Sequence, residues 1–354
     1  MKTLSLITRA GATLLLVAVM GCGDDDDDDI VATDAAALPD APDNTPDAAD
    51  NTPDAAIPDA TPPTDGFVDP TGDHTQFVAN TIDVPTSASE ANALGLDIDG
   101  DPMMRPDNAL GQILATLTSM GADPQATIDA FVADGELLEV FDVQATDLVS
   151  ASDVGVRGFV ANDGDVPANP ADNFSGSEMF VIEPGTPTDS LLYGDITGGH
   201  LSAGGGTFPL KLLVFAGTSP ILVNLVGARV EANITATNLS VGRLGGGITE
   251  AEIDNIVIPG LAEALNGIVA DDCPGGVCPP GGNGAQILLL FDANSDGTIT
   301  AEELRTNALI MSLLAPDVDL FDSAGNYNPR VDGVKDSLSF GVGFTAVGAV
   351  FDLP

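Results

Sequence analysis

The chain has 354 residues and no tryptophan, with only two tyrosines, two histidines, three cysteines and ten lysines and arginines. Each shortage removes a class of function. Without Trp, and with Tyr193 and Tyr327 alone, it offers little of the aromatic platform that a sugar-binding cleft uses. His74 and His200 have no partner at a recognisable catalytic spacing. A nucleophile elbow, a phosphate loop, a His-Glu-x-x-His zinc helix and a dinucleotide fingerprint are all missing, so an enzyme reading has little to stand on. Ten basic residues against 54 acidic ones leave a net charge of −44. Such a charge repels nucleic acid and anionic headgroups, so neither is an expected partner.

What the chain has instead is turn chemistry: 40 glycines, 25 prolines and an acidic complement that is mostly aspartate. Aspartate belongs to turns and cation loops more than to helices. The composition predicts a turn-rich β protein of the α+β class, exported from the cytoplasm.

The chain start reads as an export signal over residues 1–22. Lys2 and Arg9 give a positive start, and Ala12 to Met20 an apolar run too short to span a bilayer as a mature helix. The run ends in Val19-Met20-Gly21-Cys22, which is similar to the lipobox of bacterial lipoproteins. That resemblance implies cleavage before Cys22, lipidation of its thiol and a membrane anchor. Residues 23–65 carry 14 acidic side chains and no basic one, with a seven-residue tandem repeat, Asp43 to Ala49 and Asp50 to Ala56. Self-repulsion and proline predict a disordered linker reaching roughly 130 Å at about 3 Å per residue.

From residue 66 to 354 the pattern is that of one folded domain. Helices are expected after Ser87, over Leu110 to Leu117 with a stop at Gly121, from Pro124 to Gly135, and from Thr249 to Asn266. Between 136 and 247, short apolar runs alternate with turn signals, among them Gly198-Gly199, Gly204-Gly205-Gly206 and Gly217 to Pro220. Leu338, Phe340, Val342, Phe344 and Ala346 close the chain at period two. The series predicts an antiparallel β meander, as a sandwich or an open barrel, with the last strand returning to the meander or to the first strand. Arg229 and Glu231 share one strand face and are expected to be solvated or cross-strand paired.

One stretch carries specific chemistry. Asp292-Ala-Asn-Ser-Asp-Gly-Thr-Ile-Thr-Ala-Glu-Glu303 resembles the calcium loop of an EF-hand. Asp292, Asn294 and Asp296 fill positions 1, 3 and 5, Gly297 the sharp turn, and Thr298 the carbonyl position. Thr300 fills position 9, Glu303 is the bidentate carboxylate, and Ile299 is the apolar anchor. The resemblance spans 286–314 and implies Ca2+, an entering helix bearing Leu288 and Phe291, and an exiting helix bearing Leu304, Ala308 and Met311. Thr300 with Glu303 also reads as a capping box.

A second loop repeats part of the pattern: Asp97, Asp99 and Asp101 at alternate positions, with Asp107 following. Pro102 stands where the turn glycine would be, so a cation there would need a different turn. Asp317, Asp319, Asp322, Asp332 and Asp336 are acidic without fitting a template. Cys273 and Cys278 form the even pair left once Cys22 is set aside, and a disulfide is expected in an oxidising compartment.

Lipobox, acidic spacer and calcium loop together resemble the Asp-rich lipoproteins of Gram-negative bacteria. The resemblance implies a lipid-anchored cell-envelope protein (outer membrane, periplasmic or surface-exposed, with the membrane and leaflet left open) that binds calcium in a structural or interaction role. A calcium-stabilised hydrolase and a calcium-dependent docking module are the alternatives. No protein or glycan partner is named by the sequence.

Overall fold

The computed structural model describes residues 69–101, 107–119, 123–212 and 220–354. The export signal, Cys22, the acidic linker, Pro102, Gly121 and Gly217 to Ser219 lie outside the described residues, as does the side chain of Leu117.

Among the described residues ten strands form: β1 (Asp73–Asp83), β2 (Glu139–Ala145), β3 (Ser150–Asp163), β4 (Met179–Ile182), β5 (Leu192–Thr197), β6 (His200–Leu212), β7 (Ile221–Ile234), β8 (Asn238–Thr249), β9 (Ser337–Gly348) and β10 (Val350–Phe351). Eight of them, without β4 and β10, pair antiparallel with their neighbours in sequence, and β9 returns to β1. The meander is therefore closed. Neither the sandwich nor the open barrel forms, because the β9–β1 pairing removes both edges that either arrangement would leave. The period-two run at the chain end pairs with both β8 and β1. Strand β4 adds to the upper part of β3, and β10 pairs with it in parallel.

Because the strands alternate in direction, the four short β2–β3, β5–β6, β7–β8 and β9–β1 ends lie at one rim. The two long insertions, 84–138 and 250–336, leave from the other. Helices α1 (Ala88–Leu94), α2 (Ala109–Ser119) and α3 (Pro124–Ala133) belong to the first insertion. The second begins with α4 (Glu250–Glu252), a π-helical turn (Ile253–Val257) and α5 (Ile258–Asp272), which run on as one rod, six residues past the expected end at Asn266. Helices α6 (Asn283–Phe291), α7 (Ala301–Thr306) and α8 (Ala308–Leu313) follow.

Inward residues follow the period-two pattern until a bulge resets it. In β1, Phe77 and Ala79 face the core; the register shifts between Ala79 and Thr81, and Ile82 then faces inward instead. Phe141 stacks on Phe344 at 4.8 Å between ring centroids and lies 5.4 Å from Phe208, filling the interior with aromatic rings. Gly158 makes room for this layer, since a Cβ there would collide with the Phe208 ring.

The Gly204 to Gly206 run does not make the expected turn. It lies inside β6 as a bulge, with Gly205 at φ +85°, and a side chain on Gly206 would meet the Leu191 carbonyl. Closely approaching backbone explains glycine here as well as a turn would. Gly245 to Gly247 likewise lie inside β8, which runs on to Thr249. Gly198 and Gly199, at φ +63° and +80°, do form the β5–β6 hairpin. Asp123 caps α3 by accepting from Ala126 N–H at 3.0 Å. Ser87 accepts from Glu90 N–H, and the Glu90 carboxylate reaches back to accept from Thr86 N–H at 2.8 Å.

Above the β3–β5 pairing the wall parts between β3 and β6, and side chains satisfy the backbone there. Ser190 Oγ accepts from Gly158 N–H at 3.3 Å and donates to the Thr207 carbonyl at 2.9 Å. Glu139 Oε1 accepts from Lys211 N–H at 2.8 Å. Its Oε2 is buried without a hydrogen-bond partner among the described residues, and burial pushes the carboxyl up to about 8.

Candidate metal centres

The 292–303 loop lies between α6 and α7, so the expected entering helix forms. The exiting helix is broken in two. Asn307 takes an extended ψ of 116° and caps α8 by accepting from Leu309 and Ile310 N–H groups, so Leu304 lies on α7 and Ala308 and Met311 on α8. Asparagine is a better cap than helix interior, and this wins over the apolar period.

Inside the loop Asp292, Asn294, Asp296, Thr300 and Glu303 also organise backbone. Asp292 accepts from Asp296 N–H at 3.1 Å through Oδ1 and from Gly297 N–H at 2.8 Å through Oδ2. Asn294 Oδ1 accepts from Asp296 N–H at 2.9 Å, and Asp296 Oδ1 from Thr298 N–H at 2.9 Å. Gly297 takes φ +85° and Ser295 φ +59°. The two ends are tied by Glu303, whose Oε1 accepts from Asn294 N–H at 3.2 Å and whose Oε2 accepts from Thr300 N–H at 2.9 Å. Thr300 returns the bond in the capping box expected from the sequence. Hydrogen bonds from Thr300 hold the exposed Glu303 carboxyl below its ordinary range.

These contacts curl the short loop on itself and leave most of its oxygen donors exposed to solvent. Each carboxylate oxygen keeps a further lone pair for a cation. Ile299, 2 % exposed, plugs the loop into the core beneath.

Among the described residues, the group of three carboxylates with oxygens within 4.8 Å of one another is a different one: Asp97, Asp99 and Asp107. It can hold a metal ion. The bridge between Leu96 and Asp107 brings the last of these in, and its Oδ2 accepts from Ile98 N–H at 2.8 Å. Burial pushes Asp107 up to about 7, with Asp99 and Asp97 adding repulsion against its backbone bonds. Lys335 Nζ stands 3.5 Å from Asp99 Oδ2. Asp101, expected in the set by its spacing, lies outside it. Asp97 accepts from Gly100 N–H at 2.7 Å and Gly100 turns at φ +76°, which leads Asp101 to Arg330 at 3.8 Å.

The remaining acidic residues are put to work on backbone. Asp317 accepts from Ser339 N–H and Oγ, both at 2.6 Å, and Asp336 from Phe321 N–H at 2.8 Å. Asp322 accepts from Ala324 and Asn326 N–H groups, and Asp319 Oδ2 from Gly333 N–H at 2.6 Å. Cys273 and Cys278 are joined by a disulfide at the end of α5. Glu231 pairs with Arg243 across β7 and β8, as expected of a cross-strand position.

Two features were not read from the sequence. His74 Nδ1 lies 2.9 Å from Asp142 Oδ2, a pairing set by the β1–β2 register across 68 residues. Asn266 of α5 holds the loop: it accepts from Ile299 N–H at 2.8 Å and donates to the Ile299 carbonyl at 2.7 Å. Neither has a local signal, since each depends on tertiary register.

No family model, no curated protein and no solved structure matches this chain.

Proposed function

We propose that the chain is a lipid-anchored, extracytoplasmic protein of the cell envelope. In this reading it binds Ca2+ through Asp292, Asn294, Asp296, Thr298, Thr300 and Glu303, and the ion stabilises a structural or interaction domain. The observation that carries the reading is the closure of the loop on itself, Asp292 to Gly297 at one end and Glu303 to Asn294 at the other. Three carboxylates gathered on one short exposed loop repel one another, and a divalent cation offsets that repulsion while taking the oxygens' unused lone pairs. The anchor rests on Gly21-Cys22 and the tether on the acidic residues 23–65.

The role assigned to calcium is permanent, not signalling. Extracytoplasmic calcium is commonly near millimolar, and a site with a dissociation constant of about 10 μM would be roughly 100-fold saturated, adding about 2.7 kcal/mol to stability.

Calorimetric titration of the calcium-stripped chain tests the ligand assignment. The wild type should bind Ca2+ in the micromolar range, and Glu303→Gln should weaken that site at least tenfold. Equal affinity in the two proteins would remove the loop from the reading.

A further inference from the structure

Between the helix-covered rim of the barrel and the helices themselves lies a cavity of about 160 Å³. The inward side chains Leu338, Phe340 and Val342 of β9 form one wall. Ile113 and Leu114 of α2 and Ile128 of α3 contribute a second, and Ile253 and Val257 of the π-helical turn a third. Among the described residues the one charged member of the lining is Lys211, and its ammonium is already held by Glu183 at 2.6 Å. The cavity therefore offers a ligand no uncompensated charge. A polar molecule would give up its water hydrogen bonds there without replacement. A cavity of this size lined by Leu, Ile and Phe takes up an apolar molecule of about six carbons.

Two further observations separate this space from an ordinary packing defect. The rod from Glu250 to Asp272 departs from α-helical geometry over Ile253 to Val257, and two of those residues face the cavity. Single π turns inside helices are frequently found at functional sites. The cavity also has an apolar way out. Leu313 of α8 belongs to its lining and is 38 % exposed, and Leu309 and Met311 on the same helix are 41 % and 42 % exposed.

We propose that this cavity holds the end of an alkyl chain, as borne by a free fatty acid or a phospholipid. Among the described residues the lining is mostly branched aliphatic with Phe340 as its one aromatic, so they provide neither a flat slot for a ring nor a free polar group to orient one. What it selects is hydrocarbon, with the polar head left in water beside Leu313. The inference is independent of the calcium reading.

The test is calorimetric titration of the full chain with straight-chain alcohols of four to twelve carbons. Affinity should rise about fourfold per methylene and level off once the cavity is full, at about six to eight carbons. Val257→Phe, which places a ring in the space, should weaken octanol binding at least tenfold. A second variant, Leu313→Trp, introduces the sole tryptophan of the chain, and a dibrominated fatty acid should quench it saturably. Decanoate and dioctanoyl phosphatidylcholine, both below micelle formation, then distinguish the sources: binding of either supports the chain site and names its donor. Absence of saturable octanol binding to the wild type would overturn the proposal. So would unchanged binding in Val257→Phe together with unquenched Leu313→Trp.

Discussion

The carboxamide of Asn266 makes both hydrogen bonds of the Ile299 backbone, donating to its carbonyl at 2.7 Å and accepting from its N–H at 2.8 Å. One side chain on a long helix thereby fixes the middle of the 292–303 loop, and Ile299 drives its own side chain into the core at the same point. Loop and barrel insertion are coupled through these two residues.

Asn266→Ala should therefore destabilise the domain by about 1–3 kcal/mol, since it leaves both Ile299 groups without a protein partner. It should also weaken calcium binding, because the loop must then be ordered by the ion alone. Asn266→Asp, which keeps the acceptor and loses the donor, should fall between. Denaturant melts and calcium titrations of the three proteins provide the measurement. Calcium affinity unchanged in Asn266→Ala would separate the clamp from the site.

Glu139 predicts a pH dependence. Its carboxyl ionises near 4.5 in the open chain and at about 8 in the folded one. Between those values the unfolded chain releases a proton that the folded chain keeps, so the contribution of Glu139 to stability is full below about pH 4.5 and lost as pH rises toward 8. Glu139→Gln retains the acceptor for Lys211 N–H and cannot ionise. The variant's melting temperature, compared with wild type, should gain by several degrees from pH 5 to pH 8. A constant difference across that range would contradict the assignment.

The eight barrel strands were largely legible as apolar runs between turn signals, as in β7 at Ile221–Ile234. Closure was not legible. It depends on β9 reaching both β8 and β1, a matter of sheet curvature that bulges set, as at Ala79 to Thr81. Glycine runs misled for the same reason, because Gly204 to Gly206 serve a bulge and close backbone contact instead of a chain reversal. At the candidate site, the loop residues are contiguous and could be read by spacing. Asp97, Asp99 and Asp107 were named from the sequence as well, whereas Asn266 and the exclusion of Asp101 from the acidic group required tertiary contacts with no sequence period.

The disulfide closes a small ring between α5 and the turn that leads to α6. Replacing both Cys273 and Cys278 by serine should cost about 2 kcal/mol, from the entropy that the unfolded chain regains. Denaturant melts of the double variant against unreduced wild type test this. Peptide mapping of unreduced protein should recover the linked pair, and two free thiols would contradict it.

Lipidation is expected at Cys22, in the Gly21-Cys22 pair after the apolar run. Labelled palmitate should enter the wild type in cells and not a Cys22→Ser variant, which should leave the membrane fraction. Equal labelling of both would remove the anchor from the account.

The central claim is that calcium at Asp292 to Glu303 holds the fold together. The most direct measurement is the melting temperature of wild type and Glu303→Gln, each in 1 mM calcium and in excess EDTA. At about 2.7 kcal/mol of linkage, the wild type should melt roughly 5–10 °C lower in EDTA. Glu303→Gln should melt near the EDTA value in both solutions. A wild type that melts at the same temperature with and without calcium would contradict the claim.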